Sequence, residues 1–201
     1  MIAVADLQAA FSRLKDTMEA AADTLNSADG ALGDGDLGIT MRNGSRALVD
    51  ISADLPDDFG LALMACAQIF TKASSSSFGT LIATGLMAIA KETKGRTGIE
   101  TSDLSGLLIA ARDKMMMRGK AELGGKTVLD TLDAIAKALE GAEDPVAAAD
   151  ASIAAAKDAQ LRFIDKPATV GRARIFAEKS VGLDDPGMLA MTKIVEALAV
   201  R

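Results

Sequence analysis

The sequence predicts an all-α fold: an up-and-down antiparallel bundle of about eight helices. Three observations lead there. Apolar residues recur at helical spacing along almost the whole chain, and β-branched clusters of strand type are missing. The connections between periodic stretches are also short, which makes consecutive helices antiparallel neighbours. With 201 residues, 49% of them hydrophobic, the chain can bury a full core, and residues 1–201 are expected to form a single domain.

The elements follow in order. A first helix is predicted from about Val4 to Leu25, with Leu7, Phe11, Leu14, Met18 and Ala22 on one stripe. A glycine-rich acidic loop ends it. A second helix covers Ile39 to Ala53, and a third runs from a cap at Asp58 to Thr71. Ser74 to Ser77 break the pattern. Helices are then expected at Phe78–Lys91, Asp103–Met117, Thr127–Glu140 and Pro145–Ile164, the last with Asp144 as cap and Pro145 in the first position. A short helix is predicted over Arg172–Ser180, and a final one after Asp184-Asp185-Pro186-Gly187. In such a bundle the acidic loop, the serine loop, the Gly119–Lys126 loop and the Lys166–Arg172 loop all fall at one end.

The acidic loop carries most of the functional information. Asp29, Asp34 and Asp36 stand with Gly30, Gly33, Gly35 and Gly38 within ten residues, and glycines let the backbone fold tightly enough to turn the acids toward one point. Three carboxylates about 5 Å apart repel by roughly 3 kcal/mol per pair at an effective dielectric of about 20, so a cation must sit among them. A hard divalent ion is the expected guest, the alternative being a solvated turn, since Asp and Gly are also the commonest turn residues. A calcium hand is ruled out: counted from Asp34, position six is Ile39 and position twelve is Ser45, where glycine and a bidentate Glu are needed. Magnesium with a phosphate ligand fits better.

Composition narrows the chemistry. There is no His, Tyr or Trp, and the one Cys, Cys66, lies in an apolar stretch as a core thiol. Without histidine, Ser-His-Asp and Cys-His nucleophile systems and His-containing zinc sites are excluded. Phosphoryl transfer suits the remaining kit, because it asks for positioning and charge stabilisation. A net charge of −6 and a pI near 4.8 argue against nucleic acid or an anionic membrane as partner. Apolar runs such as Leu81–Ala90 are too short to span a bilayer, and no basic segment precedes an apolar one at the N-terminus. The cytoplasm is the expected location.

Other segments carry weaker signals. Ser74–Ser77 ahead of Phe78-Gly79-Thr80 offer hydroxyls and free helix amides as a phosphate cradle, or a flexible loop. Gly124-Gly125-Lys126-Thr127 is not a P-loop, since Lys120 stands where the first glycine is needed and no strand precedes it. It reads as a helix-entry loop. Arg118, Lys120, Lys126, Arg172 and Arg174 are candidate counter-charges, or solvated side chains. Met115-Met116-Met117 reads as core.

Together these segments resemble the L subunit of the dihydroxyacetone kinases. The resemblance covers nearly the whole chain and rests on Gly33-Asp-Gly-Asp36 with Asp29 upstream, Ser74 with Phe78-Gly-Thr80, Arg118-Gly-Lys-Ala-Glu122, Lys126-Thr127, Gly171-Arg-Ala173, and Asp185-Pro-Gly187 after Lys179-Ser-Val-Gly182. It implies a barrel of eight antiparallel helices in which Asp29, Asp34 and Asp36 hold two magnesium ions that bridge to nucleotide phosphates. It further implies that Gly38, Thr40, Ala73 and Ser74 contact phosphates, while Gly119, Val128, Arg172, Asp185 and Gly187 line the rest of the pocket. Two departures stand out. Leu37 replaces the family's usual His, and Thr71-Lys72-Ala73-Ser74-Ser75-Ser76 replaces its Gly-Gly-Ala-Ser-Gly-Pro loop.

The resemblance implies half an enzyme. A separate K-type subunit would hold the ketose, dihydroxyacetone or a related triose or tetrose, through a histidine that this chain lacks. The nucleotide would be ATP exchanged each turnover, or ADP kept as a cofactor and rephosphorylated by a phosphotransferase-system protein. The alternatives are a non-catalytic magnesium-nucleotide regulatory module of the same fold, marked by Leu37, and a structural bundle with an adventitious ion.

Overall fold

A computed structural model describes residues 1–74 and 76–199. Ser75 of the predicted serine loop, and Val200 and Arg201, lie outside the described residues. Among the described residues eight α-helices make up the architecture: α1 (Val4–Leu32), α2 (Leu37–Ile51), α3 (Phe59–Ala73), α4 (Ser77–Thr93), α5 (Leu104–Gly119), α6 (Val128–Ala138), α7 (Pro145–Phe163) and α8 (Pro186–Leu198). Each packs on the next, and α8 packs back on α1, so the ring closes. The expected all-α barrel is what the chain forms.

Apolar stripes fill the ring. Phe11, Leu14, Met18 and Leu25 of α1 meet Met41 and Leu48 of α2, Cys66 and Phe70 of α3, and Ala190 of α8. Leu129, Leu132 and Ile135 of α6 pack with Ala111 and Met115 of α5, Ala156 of α7 and Met191 of α8. Met115 is buried, but Met117 is 70% exposed. The uniform core reading of the three methionines fails for Met117, because consecutive helical residues point about 100° apart. Burial pushes the Cys66 thiol up to about 12, as expected of a core thiol.

Capping fixes several helix starts. The Asp58 carboxylate accepts from Leu61 N–H at 2.9 Å, and that of Asp144 accepts from Ala147 N–H at 2.7 Å with Pro145 behind it. Two expectations need correction, and one pairing is new. The first helix runs on to Leu32, carrying Asp29 on its last turns instead of in a loop. Arg172–Ser180 is no continuous helix but two 3-10 turns, Arg172–Ile175 and Ala177–Ser180, because the backbone at Ala177 takes φ 40° and cannot propagate an α-helix. Finally, Ile2–Ala3 (β1) pairs antiparallel with Gly98–Ile99 (β2), a long-range contact that no local pattern announces.

Candidate functional site

With the helices alternating in direction, the C-terminal ends of α1, α3, α5 and α7 and the N-terminal ends of α2, α4, α6 and α8 share one end of the barrel. A cavity of about 710 Å³ opens there. Its wall takes Asp29, Asp34 and Asp36 from the α1–α2 junction, Phe78 and Leu81 from α4, and Met115 from α5; Val128 from α6 and Gly187 from α8 complete the far side. The four loops expected to converge do so, and four helix N-termini bring their positive dipole ends to the same cavity.

One carboxylate oxygen from each of Asp29, Asp34 and Asp36 lies within 4.8 Å of the others. Local structure explains how. The Asp29 carboxylate accepts from the Asp36 N–H at 2.9 Å and the Leu37 N–H at 3.3 Å, which ties the end of α1 to the start of α2. Gly35 provides the positive φ of the turn, 79°. Gly33 serves another need: a Cβ there would lie 2.5 Å from Asp29 Oδ1, so the missing side chain is what leaves the carboxylate room. The Asn26 side chain, unremarked in the sequence, accepts from Gly38 N–H at 2.8 Å and Ile39 N–H at 3.2 Å. It caps α2 from within α1.

The electrostatics of the cluster are divided. Arg172 forms an ion pair with Asp34 and holds its carboxyl below the usual range. Asp36 is pushed the other way, by burial first and then by the charges of Asp34 and Asp29. All donors are carboxylate oxygens, so these three residues could hold a hard divalent cation such as magnesium.

Of the other predicted contacts, Gly119, Val128, Arg172, Asp185 and Gly187 line the cavity. Gly38, Thr40, Ala73 and Ser74, also expected to contact phosphates, do not line it. Gly38 is packed so closely on α1 that a Cβ would fall 2.0 Å from the Ala22 carbonyl oxygen, and Thr40 is buried. Ala73 ends α3, and the buried Ser74 hydroxyl lies 3.3 Å from that of Ser76, which caps α4 at the Gly79 N–H. Among the candidate counter-charges, Arg118, Lys120, Arg172 and Arg174 are on the wall. Lys126 is not: it is 1% exposed, and its ammonium faces inward. The Gly124–Thr127 segment is a helix-entry loop as expected, with Thr127 accepting from Leu129 N–H to cap α6.

Asp185 caps α8 through the Met188 N–H at 2.8 Å, and burial pushes its carboxyl up to about 7. Phe78, Leu81 and Met115 give the cavity an apolar side that periodicity alone could not separate from core.

Comparison with known proteins agrees with this fold. The pattern of the DAK2 domain matches residues 31–200. The chain is 28% identical over 196 residues to the ADP-binding subunit DhaL of the PEP-dependent dihydroxyacetone kinase of Escherichia coli, covering 94% of this chain and 93% of that protein. It is 30% identical over 181 residues to the L-erythrulose 1-kinase of Mycolicibacterium smegmatis, covering 87% of this chain but 31% of that protein, so it spans about a third of that relative's length. The crystal structure of the dihydroxyacetone kinase from C. freundii in complex with AMP-PNP and Mg2+ shares the fold, with a TM-score of 0.73 at 21% identity over 96% of this chain and 33% of that one. Ring closure, the acid cluster and the matched span converge: the chain belongs to the DAK2 domain family.

Proposed function

We propose that this chain, acting in the cytoplasm as one nucleotide-binding domain over residues 1–201, is the nucleotide-carrying subunit of a dihydroxyacetone-type kinase. It presents a phosphoryl group to a short-chain ketose, dihydroxyacetone or a related triose or tetrose, held by a separate K-type subunit. The observation that carries this reading is the meeting of Asp29, Asp34 and Asp36 within 4.8 Å at a cavity that four helix N-termini face.

Each part of the chain has a task. Asp29, Asp34 and Asp36 would hold two magnesium ions, which when bound neutralise phosphate charge and fix the phosphates in line for transfer. The N-termini of α2, α4, α6 and α8 favour phosphate oxygens through their dipoles. Arg118, Lys120, Arg172 and Arg174 add positive charge along the wall, and Phe78, Leu81 and Met115 offer apolar surface to a base. Gly119, Val128, Asp185 and Gly187 complete the pocket, with Gly38, Thr40, Ala73 and Ser74 supporting its phosphate end from behind. The chain has no histidine, so capture of the ketose falls to the partner.

Two nucleotide regimes fit this site. The E. coli relative is an ADP-binding subunit of a PEP-dependent kinase, which supports resident ADP recharged by a phosphotransferase-system protein. Exchangeable ATP is the other regime; the M. smegmatis relative is an L-erythrulose 1-kinase about three times as long as the matched span. A non-catalytic regulatory module is the second reading. It is favoured by Leu37, a core residue where the family carries histidine.

Calorimetric titration with ADP tests the binding step. Binding should require magnesium, vanish with chelator, and be lost in Asp34→Asn while circular dichroism and melting stay near wild type. Wild-type affinity in that variant would remove the acids from the site.

A further inference from the structure

We infer that Lys126 is a positioning residue for the nucleotide cavity: its buried ammonium, seated in a cradle of three carbonyl oxygens, pins both feet of the loop that forms one cavity wall. The Nζ donates to Ile164 O at 3.0 Å, Lys166 O at 3.0 Å and Ser180 O at 2.8 Å, which uses all three of its protons. Ile164 and Lys166 begin the α7–α8 connection and Ser180 stands near its end. Between these feet lie Val170–Arg174, on the cavity wall; Thr127–Leu129, on the opposite side of the pin, line the cavity too.

Neighbouring contacts show that the feet are held together. Gly182 N–H donates to Ile164 O at 2.8 Å, and the Ser180 hydroxyl accepts from Ala168 N–H at 2.7 Å. The loop also rests on the segment carrying the lysine: Thr169 N–H donates to Gly125 O at 3.2 Å, and a Cβ on Gly125 would meet Val170 Cγ2 at 2.6 Å. Lys126 keeps a left-handed backbone, φ 59°, which a residue with a Cβ adopts at a cost. Asp165, Asp184 and Asp185 act on the ammonium through space, while its direct partners are carbonyls. A buried charge held by carbonyls alone is expensive, and what it secures here is the shape of one loop. The cradle is a site for a primary ammonium, and the side chain is its built-in occupant.

The inference rests on the nucleotide reading above, and its test separates the two. Lys126→Met keeps the apolar stem and removes the donors; Lys126→Ala also opens the cradle. Hydrogen exchange is measured first, without nucleotide. In Lys126→Met the amides of residues 168–182 should exchange faster while those of α1–α3 stay protected; unchanged loop exchange would overturn the proposal whatever the ligand proves to be. Affinity for Mg-ADP, measured below the melting transition, should fall about tenfold or more in both variants through lost preorganisation. Propylammonium, which replaces the excised fragment, should restore affinity in Lys126→Ala but not in Lys126→Met, and tetramethylammonium should restore neither. Wild-type affinity in a folded Lys126→Ala would overturn the proposal. So would global unfolding of both variants that propylammonium does not relieve. Failure of the wild type to bind Mg-ADP would sink the nucleotide reading, and the exchange result would still decide the role of Lys126.

Discussion

Arg172 and Asp34 form an ion pair that joins the α7–α8 connection to the α1–α2 junction across the mouth of the cavity. Both side chains are about half exposed, 48% and 52%. The pair places a guanidinium beside the acid cluster, where it competes with any cation for the same carboxylate.

Arg172→Gln should therefore move two affinities in opposite directions. Bare magnesium, read by titration without nucleotide, should bind about two- to fivefold more tightly, since an exposed ion pair is worth up to about 1 kcal/mol. Mg-ADP should bind more weakly, because the wall loses positive charge. A fall in both would contradict the competition.

Gly38→Ala should damage the site through packing. The added methyl would lie 2.0 Å from the Ala22 carbonyl oxygen, so α2 must move away from α1 and carry Asp36 from Asp29. Overpacking of this kind costs typically 1–3 kcal/mol. The melting temperature and the magnesium dependence of nucleotide binding should fall together; a variant that melts lower but binds normally would show that the α1–α2 contact does not set the acid geometry.

The pH dependence of stability should report Asp185. Its folded carboxyl is raised to about 7 by burial from an ordinary value of 3.8, so the folded state binds the proton more tightly than the unfolded chain. The stability this gives is fully present below pH 3.8 and is lost as pH rises toward and through 7. Asp185→Asn retains a good cap and removes the titration. Its melting temperature relative to wild type should rise by about 3 °C or more between pH 4 and pH 8, since 1 kcal/mol moves a domain of this size by about 2–4 °C. A constant difference across that range would exclude Asp185 as the titrating group.

An exposed apolar side chain next to the wall gives a fourth expectation. Ile175 is 75% exposed, one residue beyond the cavity-lining Arg174. If the ketose-holding partner closes over this end, Ile175→Glu should weaken the complex in analytical ultracentrifugation while leaving Mg-ADP affinity unchanged. Unaltered association would place the partner elsewhere.

Much of this was legible from local pattern. The stripe Leu7–Phe11–Leu14–Met18 and the capped starts at Asp58 and Asp144 fixed helices by periodicity and hydrogen-bonding chemistry, both local properties. What failed to read depends on the tertiary setting. Asn26, Ser27, Asp29 and Gly30 look like a helix end, yet α1 continues through them because Asn26 and Asp29 cap α2 in space. Ala177 gave no sign of its positive φ. Lys126 reads as a counter-charge from its type, and only the convergence of three distant carbonyls shows that it points inward. The meeting of the acids was legible because glycines in that density let the backbone turn neighbouring carboxylates toward one point, though Asp and Gly also serve ordinary turns; the helix ends that share their cavity were legible only through alternation around the ring.

Reconstituted phosphoryl transfer tests the central claim most directly. The purified chain is mixed with a K-type subunit, dihydroxyacetone or erythrulose, magnesium and either ATP or a phosphotransferase donor, and ketose phosphate is followed. Transfer should appear only in the mixture and be lost with Asp36→Ala, since donor and acceptor must be brought into line from two chains. Turnover by this chain alone, or undiminished turnover with Asp36→Ala, would contradict it.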